Sequence, residues 1–188
     1  MTVPIELWLV RHGETTANAT RRISGWSDVS LNERGEEQAR AVGALLERES
    51  FDSVWSSDLT RATTTARIAS SEPKIDRRLR EMHFGDLENR LFEEIDPHYK
   101  KTLLEFIDFS APGGENIEEF RTRLLDFIST LLAGKHLIFT HGGVIRILTQ
   151  NMGQDRFVGN GGLVAVNWSS SKILFVKENE SALKPQSV

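Results

Sequence analysis

The chain has 188 residues, 39% hydrophobic and 27% charged, with 27 acidic against 23 basic side chains for a net charge of −4. That composition excludes a disordered chain, a collagen and a coiled coil, and it leaves no basic excess for nucleic acid or an anionic membrane. Cysteine is absent, which removes disulfide scaffolds, thiolate zinc sites and cysteine nucleophiles, and fits a reducing compartment.

One domain over residues 1–188 is expected, ending in a polar, frayed tail at about 179–188. The opening run has no basic n-region and Glu6 interrupts its apolar stretch, so no signal peptide is expected. No segment approaches the roughly 20 apolar residues of a membrane span, and a cytoplasmic location is the expectation. In chain order, Ile5 to Val10 predicts a buried strand that ends in Arg11-His12-Gly13. Ser30 and Glu33 have the spacing of a capping box ahead of a helix from Gln38 to Leu46. Phe51 to Trp55 predicts a second strand, and Ser57 or Asp58 the cap of a helix running to about Ala69. A helix is expected near Leu91 to Ile107, a turn at Ala111-Pro112-Gly113-Gly114, and a helix from Glu115 to Leu132. His136 to Thr140 predicts a strand leading through His141-Gly142-Gly143 into a helix from Val144 to about Gln150. A hairpin of Leu163 to Trp168 and Lys172 to Val176 closes the chain.

Strands that alternate with helices predict an α/β domain with a mainly parallel sheet covered on both faces. Ligands of such sheets sit outside the carboxyl ends of the strands. The two histidine loops both follow predicted strands and could meet there. His12 has the chemistry of a nucleophile, a base or a metal ligand. Its neighbour Arg11 offers a fork for phosphate or carboxylate oxygens and repels a divalent cation. Neither His12 nor His141 has metal-ligand partners at suitable spacing. Arg61, near a helix start, suits an anion, although a solvated residue or a partner of Asp58 is the plainer reading. An acid from Glu81, Asp86 or Glu88 could donate a proton, and spacing does not choose among the three.

Leu9-Val-Arg-His-Gly-Glu-Thr15 resembles the signature of the histidine phosphatase superfamily, also called phosphoglycerate mutase-like proteins. Asn18, Gly25-Trp-Ser-Asp28, Ser56-Ser-Asp-Leu-Thr-Arg61, Leu79-Arg-Glu81 and Thr140-His-Gly-Gly-Val-Ile-Arg146 follow in family order. The resemblance implies a three-layer α/β/α sandwich with a mainly parallel mixed sheet. It also implies a phosphohistidine on His12, with the other ring nitrogen held by a backbone carbonyl. Arg11, Arg61 and His141 would hold the phosphoryl oxygens, helped by Asn18 and the backbone at Gly142, and Glu81 would be the proton donor. Thr15, Thr16, Ser24, Gly25 and Trp26 would line the entrance. Met82, His83 and Phe84 would lie near the leaving group or simply pack. No metal or cofactor is implied, the partner is a small phosphomonoester, and the sequence sets no oligomeric state.

The same core serves phosphatases and phosphoglycerate or other sugar-phosphate mutases. Mutases of this family are typically longer, and only 59 residues separate Glu81 from His141 here, so hydrolysis is the expectation. The stretch from Leu79 to Glu88, with Leu7-Trp8-Leu9, resembles α-ribazole-5′-phosphate phosphatases of cobalamin synthesis. Leu87, where many relatives have Trp, and Asn89, where Gly is usual, depart from that pattern. A non-catalytic phosphate-binding module on the same fold is the reading from a different class.

Overall fold

A computed structural model describes residues 4–179. Among these, six strands form one mixed sheet. The first strand, β1 (Ile5–Arg11), lies at its centre, parallel to β4 (Gly134–Thr140) and antiparallel to β5 (Leu163–Asn167). On the far side of β4 come β2 (Ser53–Ser56) and the two-residue β3 (Lys74–Ile75), both parallel. The edge strand β6 (Lys172–Lys177) pairs antiparallel with β5, as the expected hairpin.

Alternation along β1 sends side chains to opposite faces. Leu7 and Leu9 join a cluster with Phe120, Leu124 and Phe127 of α5 (Ile117–Ser129) and Val144, Ile145 and Leu148 of α6 (Gly142–Gln150). Trp8 and Val10 pack on the other face with Val42 and Leu46 of α2 (Glu33–Leu46) and Ala66 and Ala69 of α3 (Thr60–Ala69). Helices therefore cover both faces, and the fold is the three-layer α/β/α sandwich with a mixed, mostly parallel sheet. Leu7, Leu9, Phe120 and Phe127 are fully buried. Truncating one of the leucines to alanine would cost about 2–5 kcal/mol.

The remaining helices depart from expectation for local reasons. The segment 91–107 is not one helix. A 3-10 turn (Phe92–Glu94) precedes α4 (Pro97–Glu105), because Pro97 lacks an N–H and starts a helix, with the Asp96 side chain accepting from His98 N. Ser30 does not cap α2; Asn32 does, accepting from Gly35 N at 2.8 Å. Leu59 precedes α3 without a side-chain cap, while Asp58 is drawn away into a bidentate pair with Arg80 at 2.7 and 2.6 Å. A short helix, α1 (Thr16–Ala19), starts at a capping box built by Thr15 and Asn18. Asn179 is buried, its Nδ2 on Gln38 O, rather than frayed. The rest of the expected tail lies outside the described residues.

Two details place the site. In the β1–β4 ladder Arg11 faces Thr140, and His12 N donates to Thr140 O at 3.0 Å. The residues that follow, His12 and His141, thus leave the sheet side by side at its carboxyl edge. Next to them the first turn of α2 presses on the loop after β1. A methyl group on Gly13 would fall on the Gly35 carbonyl oxygen, and one on Gly35 would fall on Glu14 O. Bare backbone is the condition for that approach.

Candidate active site

His12 is buried, and its Nδ1 lies 2.7 Å from the Gly13 carbonyl oxygen. A carbonyl only accepts, so Nδ1 carries the proton and Nε2 keeps its lone pair. Burial, then the charges of Arg61 and Arg11, hold this imidazole well below the usual histidine range. It is neutral at pH 7. The His141 ring lies 5.2 Å away, centroid to centroid, and neither of its buried nitrogens has a partner among the described residues. Burial and the neighbouring Arg61 push His141 well below the usual range too.

Two buried guanidiniums flank the rings. Arg11 donates to Val158 O at 2.8 Å and lies 4.8 Å from the centre of the exposed Phe157 ring. Arg61, 1% exposed, donates to Ser27 O and Gly25 O at 2.9 and 2.7 Å, and burial lowers its pKa to about 10, so it stays charged at neutral pH. Among the described residues, the Nε of each arginine is buried without a partner, as is the Ser24 hydroxyl. Native interiors rarely leave such donors unpaired. Together with His141, on which both arginines act electrostatically, the two guanidiniums form a cradle of unpaired polar groups suited to an oxyanion.

Of the three carboxylates left open by spacing, Glu81 faces this cradle. Its Oε2 accepts from Gly143 N at 3.0 Å and Oε1 from Met82 N at 2.8 Å, beside the start of α6, where Gly142 adjoins Arg11. Glu88 is used otherwise. Its oxygens accept from Trp26 N, Ser27 N, Ser27 Oγ and Phe84 N, at 2.8, 2.9, 2.8 and 3.1 Å, which latches the loop 24–28 to the segment 84–88. Asp86 has its backbone N on Pro112 O and its carboxylate near Gly113. Asn18 Oδ1 takes Thr15 N and Thr15 Oγ, at 3.1 and 3.0 Å.

At the entrance Trp26 stacks on His83 at 4.6 Å and donates its indole N–H to Glu81 O. Thr16 is exposed, whereas Thr15 is buried as a helix cap. Met82 and Phe84 are core residues, and so is Leu87 in place of the usual Trp. Asn89, where Gly is usual in the resembling pattern, has φ +64°, a left-handed conformation that Asn tolerates better than most residues.

Sequence reasoning missed the residues that hold this arrangement from behind. Arg123 donates to the carbonyls of Arg78, Arg80 and Glu81 at 2.7–2.8 Å and pairs with both Glu115 oxygens at 2.6 and 2.8 Å. Glu115 in turn accepts from His83 N. An arginine beside the apolar stripe of α5, eight residues after a post-turn glutamate, was the available signal. Asn160 and Phe157 were missed as well. Among the described residues, no group of three or more His, Asp or Glu side chains could hold a metal, and no helix is long and apolar enough to cross a membrane.

The model of the histidine phosphatase superfamily (branch 1) matches residues 7–181. The chain belongs to the histidine phosphatase superfamily. Membership makes it a phosphatase- or mutase-type enzyme acting on a small phosphorylated metabolite, and sets aside the non-catalytic binding module. The crystal structure of a phosphoglycerate mutase from Thermus thermophilus superimposes with a TM-score of 0.85 at 44% identity, covering 92% of this chain and 98% of that one. A probable phosphoglycerate mutase of Serratia proteamaculans is 37% identical over 150 residues, 73% of this chain and 70% of its own.

These findings correct one expectation. The likeness to α-ribazole-5′-phosphate phosphatases read from Leu79 to Glu88 and Leu7-Trp8-Leu9 is weaker, over the solved structures, than the likeness to the phosphoglycerate mutase. The structure of a putative α-ribazole-5′-P phosphatase from Escherichia coli matches at only 28% identity, with a TM-score of 0.79 over 97% of this chain and 100% of that one. The superfamily stands, and the ribazole branch gives way to phosphoglycerate mutase-like relatives.

Proposed function

We propose that the enzyme moves a phosphoryl group between phosphoglycerate-type monoesters through a phosphohistidine on His12. The observation that carries the reading is the buried, neutral His12. With Nδ1 committed to Gly13 O and Nε2 free, it stands beside the orphaned donors of Arg11, Arg61 and His141. Nε2 attacks phosphorus and forms the N–P bond. The P–O ester bond breaks, its electron pair goes to the leaving oxygen, and that oxygen takes a proton from Glu81. Arg11, Arg61 and His141 hold the non-bridging oxygens, whose charge the cradle is already arranged to meet. Asn18 and Ser24 supply further hydrogen bonds, and Gly25 and Gly142 shape the walls. In the return step Glu81 takes the proton of an incoming hydroxyl, whose oxygen attacks phosphorus while the N–P electron pair returns to Nε2.

The acceptor decides between the two activities. Water gives hydrolysis, and the second hydroxyl of the glycerate gives the mutase. Short length favoured water, but the Thermus phosphoglycerate mutase is matched over 98% of its own chain by this one, so length does not separate the classes. The Thermus and Serratia relatives support the mutase.

The test is incubation with 3-phosphoglycerate and 2,3-bisphosphoglycerate, following 2-phosphoglycerate and free phosphate separately. A radiolabelled pulse should trap an acid-labile, alkali-stable phosphoenzyme. His12→Ala should abolish both turnover and label. Undiminished turnover in that variant would overturn the nucleophile, and phosphate release without isomerisation would make the enzyme a hydrolase.

A further inference from the structure

The turn 159–162 enters β5, and by position it is a connector. Its contacts say more. Gly161 N donates to the carbonyls of Arg11 and His12 at 3.1 Å, and Gly162 O accepts from Arg11 N at 2.9 Å. Between those glycines and the site stands Asn160, only 4% exposed. Its Nδ2 lies 3.2 Å from His12 O, 3.2 Å from Asn18 Oδ1 and 3.5 Å from Gly13 O. One amide nitrogen thus reaches three oxygens of the loop that carries His12 and of the helix cap beside it.

We propose that Asn160 is a positioning residue for phosphoryl transfer, acting through Asn18 and through the peptide carbonyl on which His12 rests. The proposal depends on the reading of His12 as nucleophile. Asn18 Oδ1 receives Thr15 N, Thr15 Oγ and Asn160 Nδ2. Three donors on one oxygen settle which way the amide is turned, because a reversed Asn18 would set its own N–H groups against them. The Asn18 Nδ2 is thereby kept as a donor for a substrate oxygen. Gly13 O, the acceptor that keeps the proton on His12 Nδ1, is the second oxygen under Asn160's control. Removing the side chain leaves the Gly161 and Gly162 backbone bonds in place, so the loop keeps its course while its polar orientation is released. Asn160→Asp is the sharper change. It is nearly isosteric, yet it turns an oxygen toward three oxygens.

The experiment uses the full chain, with histidine labelled in ¹⁵N, for wild type, Asn160→Ala and Asn160→Asp. Long-range ¹H–¹⁵N spectra report the His12 tautomer directly, and titration with inorganic phosphate reports the cradle. Wild type should show a single Nδ1-protonated His12. Both variants should show mixed or shifted ring signals and a loss of about tenfold in phosphate affinity, the worth of one hydrogen bond to a charged group. In an Asn18→Ala background, Asn160→Ala should cost little further phosphate affinity, since its effect runs through Asn18. A purely structural asparagine would lower thermal stability and leave tautomer and affinity alone, which would overturn the proposal. So would affinity losses that multiply in the double variant. The phosphohistidine assay on wild type tests the nucleophile by itself. A wild type that labels, with an Asn160→Ala that matches it in every readout, removes Asn160 and leaves His12 standing.

Discussion

Gly143→Ala separates the proposed acid from the fold. Gly143 is buried in the first turn of α6, and its N–H holds Glu81 Oε2 at 3.0 Å. A methyl group there would fall on Glu81 Oε1, 3.1 Å from Glu81 Cδ and 3.0 Å from Phe106 Cζ. To reach ordinary contact the carboxylate has to retreat by about 1 Å. The stability terms nearly cancel. Alanine is favoured over glycine in a helix by about 1 kcal/mol, and the strained Glu81 hydrogen bond loses about as much. Melting should therefore move by no more than about 4 °C. Catalysis has no such compensation, because a 1 Å misplacement of a reacting group costs on the order of 100-fold, about 2.7 kcal/mol of barrier. The assay is kcat/KM for a phosphoglycerate against p-nitrophenyl phosphate, whose leaving group departs without a proton. The expected result is a loss of about 100-fold on the first and a few-fold at most on the second. Equal losses on both substrates, or none on either, would refute Glu81 as the proton donor.

Two further outcomes follow from buried charge. Both His12 and His141 are held below their ordinary range in the fold. Below pH 6.5 the unfolded chain therefore binds protons that the folded chain does not, and stability is complete above that pH and falls as pH drops beneath it. The slope is at most about 1.4 kcal/mol per pH unit for each histidine, about 2.7 for the pair. Urea midpoints between pH 5 and 8 should show it, His141→Ala should halve it, and a flat profile would contradict the burial argument. Arg123→Leu should cost about 3 kcal/mol, because it strands the largely buried Glu115 and frees three carbonyls behind Glu81. Adding Glu115→Leu should recover part of that loss in equilibrium unfolding, whereas a single-variant cost below about 1 kcal/mol would show that the pair holds nothing.

What could be read in advance were features that local chemistry dictates. Apolar runs ending in Arg11-His12 and Thr140-His141 predict strand ends, and a parallel sheet brings such ends to one edge. Residues whose role depends on a distant partner could not be read. Ser30 and Asn32 are both competent caps, and the choice falls to Asn32 because Glu14, across the chain, takes its Nδ2 at 2.9 Å. Asp58 looked like a cap until Arg80 claimed it. Glu88 and Glu81 are chemically alike in sequence, and the backbone donors around each separate a loop latch from a carboxylate at the site. Asn160 lies 148 positions from the carbonyl it holds. The ribazole likeness was read from Leu79 to Glu88 and Leu7 to Leu9, stretches too short to rank one branch of the superfamily against another over the whole chain.

The contact between Gly13 and Gly35 bears on how such an enzyme can change. Neither position can gain a side chain without displacing backbone, and the seam they form lies directly under His12. The innermost layer of the site is thus closed to gradual variation. The rim is not. Trp26 and His83 stand partly exposed and Phe157 exposed, on three separate loops, and none of them is wedged into that seam. Substitutions at those loops can reshape the rim without moving the backbone seam next to His12.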